Sequence, residues 1–332
     1  MEKEIVLGFS GGVDSALSAL LLQDRGCRVH AVYLDIGNPE SREYAEYAAK
    51  EMGLSLEVTD IREELEAEVC KPFEQSYLSG QTPNPCILCN PAVKFRKLLE
   101  AADRLGIEYA ATGHYARTEG GKLYKGKPAN DQSYLLCRLK AEQVRRLLLP
   151  LGEYEKAEVR ALAAERAIPA AKKPDSQEIC FIRDMSYRDW LEARGCRAEE
   201  GDFLFREEVI GRHKGIFCYT VGQRLPGLYD GRKLYISKID AEKNQIRLAL
   251  WEDTFFTKVS ADRPNWLIDP PQEAFRASIR VRHTKWETPG CTVIPREDGF
   301  DVLCEEPVRS PAPGQSAALY MGEQLVGSGI IK

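Results

Sequence analysis

The sequence predicts a chain of two fold classes, an α/β unit with a doubly wound parallel sheet followed by all-β units. In the first half, short apolar runs typical of strands alternate with stretches of helical periodicity. Repeated strand-helix-strand units of this kind predict a parallel sheet with helices on both faces. After about residue 200 the helical periodicity fades. Short strand-like segments then alternate with Gly, Pro and Asp turns, which indicates β structure.

The elements of the first half follow from local signals. Residues 5–9 form an apolar run typical of a buried strand, and Gly26 can end the helix that follows. The apolar face of that helix is predicted from its periodicity to contain Ala16, Leu17, Leu20 and Leu21. The alternation continues with a strand over 29–34, a helix over 40–52 that stops at Gly53, a strand over 54–58, a helix over 93–105 and a strand over 107–111.

In the second half the predicted elements are strands. They cover 233–239, 245–249, 277–281, 300–303 and 316–320. The proline-rich stretch 262–271 is predicted to be a seam between two β units. We therefore expect an α/β domain over 1–195, a small central β domain over 196–260 and a C-terminal β domain over 261–332.

The composition of the 332 residues is that of an ordinary globular protein, with 43% hydrophobic and 29% charged residues. No apolar run reaches the roughly 18 residues of a membrane span, so we expect a cytoplasmic protein with no membrane partner. In a reducing compartment the ten cysteines are expected to be mostly buried thiols, with a few that carry chemistry. The net charge of -5 argues against binding a polyanion by bulk charge.

A glycine-rich loop joins the first strand to the first helix. Residues 10–15 read Ser-Gly-Gly-Val-Asp-Ser, where the strand ends of an open α/β sheet form a ligand crevice. Two glycines let the backbone approach a phosphate, two serines supply hydroxyls, and the following helix points its N–H groups at the anion. The lysine of the G-x-x-x-x-G-K-[ST] loop is missing. The loop resembles the pyrophosphatase-type loop (PP-loop) of enzymes that cleave ATP to AMP and pyrophosphate, in which Asp14 would help to position Mg²⁺-bound phosphates.

Two cysteine strings provide the second functional signal. The first, residues 82–90, contains a C-x-x-C pair, Cys86 and Cys89, which two prolines are expected to present from a rigid loop. The second, residues 175–182, contains Cys180. Structural zinc is an alternative for the C-x-x-C pair, but the sequence lacks the usual second C-x-x-C or His pair. The remaining cysteines are expected to pack as buried thiols.

Together these strings resemble the tRNA-specific 2-thiouridylases, the MnmA family. The shared motifs span nearly the whole chain in the same order: the phosphate loop, T-P-N-P-x-x-x-C-N, T-G-H-Y-A-R at 112–117, D-Q-S-Y at 131–134, D-S-Q-E-I-C-F-I at 175–182, Y-T-V-G-Q-R at 219–224 and P-G-Q-S-A at 313–317. The resemblance implies a PP-loop ATP-pyrophosphatase catalytic domain, a small central β unit and a C-terminal β-barrel that contacts tRNA. The implied activity is that of a tRNA-uridine 2-sulfurtransferase. ATP adenylates the C2 oxygen of wobble uridine 34, and sulfur then displaces AMP.

The resemblance also implies roles residue by residue. Cys89 and Cys180 correspond to the two catalytic cysteines, and Asp14 acts beside them on the phosphates. ATP binding falls on Gly8, Phe9, Ser10, Gly11, Gly12, Val13, Asp14, Ser15, Leu34 and Gly113. Contacts with tRNA fall on Asn84, Pro85, Cys86, His114, Asn130, Asp131, Gln132, Arg280, Val281 and Gln315.

Three positions depart from the family pattern. Cys86 stands where Asp is common, Asn130 stands where Lys is common, and residues 225–228 replace a glycine-rich continuation. The last two leave the tRNA contacts there open. The cysteine at position 86 bears on the mechanism, because the resemblance implies one of two mechanisms. In the first, Cys180 carries a persulfide and Cys89 resolves the intermediate. In the second, three protein ligands hold a [4Fe–4S] cluster that has one open iron.

Thiolate is the preferred protein ligand for such clusters. The presence of Cys86, Cys89 and Cys180 therefore favours the cluster hypothesis, with a neutral replacement at Cys86 as the alternative.

Two basic runs are candidates for gripping RNA. One comprises Lys94, Arg96 and Lys97, and the other comprises Arg276, Arg280, Arg282 and Lys285. Ordinary solvated faces are the alternative. The expected partners are a tRNA with U at position 34 and a sulfur donor, either a cysteine desulfurase, a relay protein or sulfide. An amide-forming PP-loop enzyme and a nucleotide-gated redox or metal-binding module remain alternatives for the whole chain.

Overall fold

The computed structural model describes residues 3–172, 179–229, 231–284 and 286–332. Within these residues the strands form a parallel sheet, a central sheet and a C-terminal sheet. The elements of the N-terminal region are, in chain order, β1 (Lys3–Gly8), α1 (Val13–Asp24), β2 (Cys27–Asp35), α2 (Pro39–Glu51), β3 (Leu56–Asp60), α3 (Arg62–Leu65), α4 (Lys71–Leu78), α5 (Pro85–Cys89), α6 (Phe95–Leu105), β4 (Tyr109–Ala111), β5 (Ala116–Glu119), β6 (Lys122–Lys125), α7 (Ala141–Arg145), β7 (Leu147–Leu148), α8 (Lys156–Glu165) and α9 (Tyr187–Ala193).

The parallel sheet has the order β3-β2-β1-β4-β7. Its central strand is apolar on both faces because both are covered: Ile5 and Leu7 pack with α1 and α8, and Val6 packs with α6. The predicted doubly wound α/β class is confirmed. Since β2 and β4 lie on opposite sides of β1, the order reverses at β1, and a ligand crevice is expected at its carboxyl end.

The cysteine segment differs from its prediction. Cys86 and Cys89 were expected in a rigid loop, but both lie in α5. Asn84 caps this helix by accepting a hydrogen bond from the Cys86 N–H at 3.2 Å, and Pro85 takes the first helical position, where its missing N–H costs nothing. The prolines therefore start a helix. A π-helical turn over Asn90–Lys94 then connects α5 to α6.

The central sheet contains β8 (Gly201–Phe205), β9 (Glu208–His213), β10 (Arg224–Tyr229), β11 (Arg232–Asp240) and β12 (Gln245–Ala249). Its order is β10-β11-β12-β8-β9, with β12 and β8 parallel and the other neighbours antiparallel. An apolar cluster that includes Phe203, Leu234 and Ile246 fills its core. The predicted strands of this unit are confirmed.

The C-terminal sheet contains β13 (Phe255–Trp266), β14 (Phe275–Arg280), β15 (Thr288–Arg296), β16 (Gly299–Arg309), β17 (Ser316–Met321) and β18 (Gln324–Ile331). The sheet closes into a barrel because β13 pairs with both β16 and β18. The barrel also extends into the N-terminal region, since β6 pairs with β18 and brings β5 with it. A hairpin of the α/β region is thus part of the C-terminal sheet.

The predicted seam at 262–271 is wrong in its first half. Residues 262–266 belong to β13, a strand of the barrel. Pro264, which suggested a break, lies where the pairing of β13 with β18 shifts register between Asp262 and Asn265. The preceding residue, Arg263, has a φ of 50°. Proline is tolerated in a strand at such a bulge. The change from central sheet to barrel falls between Ala249 and Phe255.

Candidate active site

A cavity of about 1240 Å³ lies where the carboxyl ends of β1 and β4 face the barrel. Its N-terminal wall consists of the phosphate loop, Leu34 and residues 112–115. Its other wall includes Lys125, residues 128–132, and Arg280, His283 and Glu287 from the barrel. The predicted nucleotide residues Gly8, Phe9, Ser10, Gly12, Val13, Asp14, Ser15, Leu34 and Gly113 all line it.

The phosphate loop is shaped by its own short hydrogen bonds. The Ser15 hydroxyl donates to the Gly12 carbonyl at 3.0 Å and accepts from the Ser10 N–H at 3.2 Å. Gly12 is the N-cap of α1 and brings no side-chain cap, so the first N–H groups of the helix have no capping side chain. An uncapped helix start beside a cavity suits an anion.

Two glycines are required by packing as well as by the loop. Gly11 has a φ of 73°, and a Cβ there would lie 2.9 Å from the Ala45 Cα of α2. Gly11 therefore packs against α2 and does not line the cavity. A Cβ on Gly113 would lie 2.9 Å from the backbone carbon of Asp14. The loop after β4 can therefore approach the start of α1 only through glycine.

Asp14 is held by two groups from distant segments. Its carboxylate accepts a hydrogen bond from the Tyr115 hydroxyl at 2.6 Å and pairs with the Lys156 ammonium at 2.7 and 2.8 Å. Lys156 is the first residue of α8 and also lines the cavity. The phosphate loop has no lysine of its own, and α8 supplies one. No local sequence signal marked Lys156, since its relation to Asp14 is tertiary.

Cys89 and Cys180 line the same cavity. Burial raises the pKa of the Cys89 thiol to about 11, while the positive charge of Lys94 opposes the rise and the neighbouring Cys180 adds to it. Burial also raises the pKa of Cys180, again against Lys94, although the residue retains exposed surface. Both thiols are therefore protonated at neutral pH in this state. Residues 173–178, which include the first four residues of the second cysteine string, lie outside the described residues.

The far wall contains ion pairs between the α/β region and the barrel. Arg280 of β14 pairs with Asp131 and, through its Nε at 3.0 Å, with Glu287. Glu287 also accepts from the Lys125 ammonium at 2.7 Å. The Arg280 and Asp131 side chains are only 10% and 4% exposed, so this pair is nearly desolvated. Arg280 and Asp131, which are both predicted to contact tRNA, line the cavity but pair with each other.

Family comparisons agree with this architecture. Residues 3–184 match the family described as tRNA methyl transferase HUP domain, residues 188–249 match its PRC-barrel domain, and residues 256–331 match the aminomethyltransferase beta-barrel domain. The chain is 38% identical to the tRNA-specific 2-thiouridylase MnmA of Syntrophotalea carbinolica over 99% of this chain and 98% of that protein. It is 39% identical to the protein of the same name from Pelotomaculum thermopropionicum over 100% and 98%.

The chain belongs to the tRNA-specific 2-thiouridylase MnmA family. The resemblance expected from the sequence motifs is confirmed. Among solved structures, a 4-thiouridine synthetase in complex with RNA and bound ATP covers 58% of this chain and 50% of its own, at 17% identity and a TM-score of 0.37. That similarity is too low to add to the assignment. None of the helices in the described part of the chain combines the length and the apolar composition that a membrane-spanning helix needs.

In this MnmA-family chain only two of the three predicted iron-sulfur ligands line the cavity. Cys86 is exposed on α5 and does not line the cavity that contains Cys89 and Cys180. Across residues 3–172, 179–229, 231–284 and 286–332, no three His, Cys, Asp or Glu side chains lie close enough to hold a metal ion. The same finding gives structural zinc no support. The Cys86 thiol nevertheless lies near enough to raise the pKa of both Cys89 and Cys180. A cluster on the three thiols remains a prediction of the sequence.

The predicted tRNA contacts of this family member occupy different environments. His114, Asn130, Asp131, Gln132 and Arg280 line the cavity, whereas Asn84, Pro85, Cys86, Val281 and Gln315 do not. Gln315 is buried and donates to the Thr82 carbonyl at 2.7 Å, which ties the segment before α5 to the barrel. Val281 packs in the barrel core. A contact between tRNA and any of these ten residues stays a prediction.

The basic runs are largely neutralised by acids from elsewhere in the chain. Arg96 pairs with Glu68, and Lys97 pairs with Glu64. In the second run Arg276 of β14 pairs with Glu305 of β16, the next strand but one, and Lys285 lies outside the described residues. Lys94 differs because it lines the cavity beside both thiols. Counting local charges in the sequence missed these partners, since they come from distant segments.

Proposed function

We propose that the chain is an ATP-dependent tRNA 2-thiouridylase, which replaces the C2 oxygen of uridine 34 by sulfur and releases AMP and pyrophosphate. One observation carries the proposal: the phosphate loop and the two cysteines Cys89 and Cys180 line a single cavity. A site that joins an ATP-cleaving loop to two thiols suits activation of an oxygen followed by sulfur transfer.

The phosphate loop supports the activation step. The uncapped N-terminus of α1 and the glycine contact at Gly113 give the phosphates of ATP a place to approach the backbone. Lys156 lines the same cavity and can neutralise phosphate charge, and Asp14 fixes its position. Mg²⁺ commonly binds through one or two carboxylates together with substrate phosphates, and Asp14 is the carboxylate in place for it. Activation consists of attack by the uridine O2 on the α-phosphorus, with pyrophosphate as the leaving group.

The cysteines support the transfer step. A persulfide on Cys180, formed from the sulfur donor, attacks C2 and displaces AMP. The Cys89 thiol then gives up its proton and attacks the Cys180 sulfur, which releases the thiouridine and leaves a Cys89–Cys180 disulfide. A thiol reductant restores both thiols. The two residues share the cavity, and Cys180 lies near enough to Cys89 to raise the pKa of its thiol. The donor for this step has to deliver sulfane sulfur, as a cysteine desulfurase or a relay protein carrying a persulfide does; sulfide would suit only the iron-sulfur version.

The division of labour among domains is part of the proposal. Residues 1–195 form the ATP-pyrophosphatase domain, 196–260 the central β domain, and 261–332 the barrel that helps to hold tRNA. Because β13 begins at Phe255 and belongs wholly to the barrel, the second of these boundaries belongs a few residues earlier. The hairpin β5–β6, which is paired to β18, links the first domain rigidly to the third.

The test is the nucleoside content of tRNA in a host strain that lacks its own 2-thiouridylase. The wild-type chain is expected to restore 2-thiouridine, and Cys89→Ser and Cys180→Ser are expected to abolish it. Cys27→Ser is the matched control, because Cys27 is a half-buried thiol at the start of β2 outside the cavity. Normal 2-thiouridine in both cavity variants would refute the proposal.

Mass analysis of the same nucleosides separates the alternatives. The family descriptions mention methyl transfer, and an added methyl group changes the uridine mass by a different amount from an exchange of oxygen for sulfur. An amide-forming enzyme leaves the uridine unmodified, and a nucleotide-gated module releases no pyrophosphate when tRNA is added. The two cavity thiols favour sulfur transfer over each of these.

The iron-sulfur version requires a separate experiment. Anaerobic reconstitution followed by counting of iron and sulfide on wild type and Cys86→Ala tests whether the three thiols bind a cluster. Stoichiometric iron in wild type and its loss in Cys86→Ala would support the cluster. Equal thiolation by iron-free enzyme with a persulfide donor would exclude it as a requirement.

A further inference from the structure

Trp286 is the most exposed large hydrophobic side chain of the described residues, at 86%. It lies in the connection between β14 and β15, whose residues His283, Thr284 and Glu287 line the cavity. The other tryptophans pack against rings: Trp190 against Phe181, Trp251 against Tyr235, and Trp266 against Phe300. Within the described residues no such ring contact involves Trp286. An indole face is therefore open to solvent at the rim of the site.

The connection that bears Trp286 is anchored on both sides. Before it, the Arg282 guanidinium donates to the Val221 carbonyl at 2.6 Å and to the Ser310 carbonyl at 3.0 Å. After it, Glu287 accepts from Lys125 at 2.7 Å and from Arg280 at 3.0 Å. Arg282 and Glu287 are thus held to the central domain, the barrel and the α/β region. A side chain that lies between two fixed points of the chain has less freedom to lose when it binds a partner.

The chemistry of the partner follows from the site. A uridine can reach the cavity only after it has left its stack, so its neighbours in the loop lose a stacking face as well. Proteins that bind unpaired nucleotides supply aromatic side chains for such bases. Trp286 offers that surface next to His283, whose ring stacks on Tyr134 with centroids 6.2 Å apart and is not itself available on that face.

We propose that Trp286 is a stacking platform for a nucleobase of the tRNA anticodon loop adjacent to the base that enters the cavity. The inference rests on the proposed function for the identity of the RNA. It assigns Trp286 to tRNA binding and not to chemistry, so its loss acts on Kd and KM and leaves kcat at saturating tRNA near the wild-type value.

The experiment uses the full chain and an unmodified tRNA transcript with U at position 34. Loss of a base–aromatic stack weakens binding about 5- to 150-fold, so Trp286→Ala is expected to raise Kd and the KM for tRNA by that range. Trp286→Phe is expected to recover most of the affinity because it restores an aromatic face. The high exposure of Trp286 means that neither change disturbs a packed core.

Tryptophan fluorescence gives a second readout. Stacking of a base on Trp286 is expected to quench emission when tRNA is added, and Trp286→Phe should lose that quench. Trp251→Phe is the matched control, since Trp251 is partly exposed but packs on Arg309 and Tyr235 away from the cavity lining, and it should keep the quench.

Unchanged Kd, KM and quenching in the Trp286 variants would overturn the inference. Reduced thiolation with a protein sulfur donor but unaltered tRNA affinity would overturn it too, since Trp286 would then serve a protein partner. Failure of the proposed function appears separately, as absence of 2-thiouridine from the wild-type reaction, and the binding and fluorescence results stand without it.

Discussion

The two walls of the cavity use polar groups in opposite ways. The phosphate-loop wall centres on one short stretch, the loop between β1 and α1, and the N–H groups at the start of α1 have no capping side chain. The barrel wall is built from segments far apart in the chain: Arg280 and Asp131 are separated by 149 residues, and Lys125 and Glu287 by 162. There the charges satisfy one another. The phosphate-loop wall offers free N–H groups to an anion, and the barrel wall holds the domains in place.

The difference bears on how basic residues are assessed in an RNA-binding protein. Arg280 counts as a positive charge in the sequence, but Asp131 and Glu287 neutralise it within the fold. A nearly desolvated pair adds little to the field felt by a distant phosphate. Its value lies in fixing the barrel against the α/β region, so that the cavity has a defined second wall.

The largest expected effect comes from breaking the barrel wall. Arg280→Ala leaves the Asp131 carboxylate buried without its partner, and such a loss costs about 3–5 kcal/mol of unfolding free energy. Arg276→Ala is the matched control, because Arg276 is on the same strand and pairs with Glu305 at the exposed surface, where a pair contributes about 0–1 kcal/mol. Denaturant unfolding measures both. Equal losses in the two variants would show that the barrel wall does not hold the domains.

The second effect concerns the phosphate-loop wall. Asp14→Asn removes the charge that positions Lys156, and we expect tRNA-dependent pyrophosphate release to fall about 100-fold or more, as when one preorganised electrostatic group is removed from an active site. Asp24→Asn is the control, because Asp24 is on the same helix and pairs with Arg166 at the surface. It should change the rate by less than about twofold. A similar rate in Asp14→Asn and wild type would contradict a role for this pair.

The smallest effect is a pH dependence that also separates the walls. Burial, with help from Lys94, holds the pKa of His114 well below its usual value, and its Nδ1 lies 2.8 Å from the Thr112 hydroxyl. In the unfolded chain the pKa is about 6.5. Between the two values the unfolded state binds more protons, so the free energy of unfolding is greatest above pH about 6.5 and falls as the pH decreases below it.

Glutamine at position 114 has no titratable group, so His114→Gln should reduce the change in the free energy of unfolding between about pH 5 and 7. Urea unfolding at a series of pH values measures the slope. On the barrel wall, burial also lowers the pKa of His283, but the nearby Asp131 opposes that shift, so His283→Gln should flatten the curve less. An unchanged slope in His114→Gln would show that this histidine is not kept neutral by the fold.

Local signals predicted much of the fold correctly. The run over β1, the helix ended near Gly26 and the strands of the central sheet follow from apolar periodicity and turn residues, which act over a few neighbours. Two errors had the same origin. The prolines near Cys86 and at position 264 indicated loop and seam, but one begins α5 and the other lies at a bulge in β13. Proline restricts the backbone without specifying which compatible element contains it.

The sequence by itself determined the phosphate loop, the α/β-to-β order and the family, because these depend on short motifs in a fixed order. Only the tertiary structure decided that Cys89 and Cys180 share a cavity with the loop, that Lys156 supplies the loop's missing cation, and that Arg280 is paired with Asp131. Only the fold also left the Trp286 indole exposed at the rim. These relations join distant segments, and the closing of the barrel and its pairing with β6 bring several of them together.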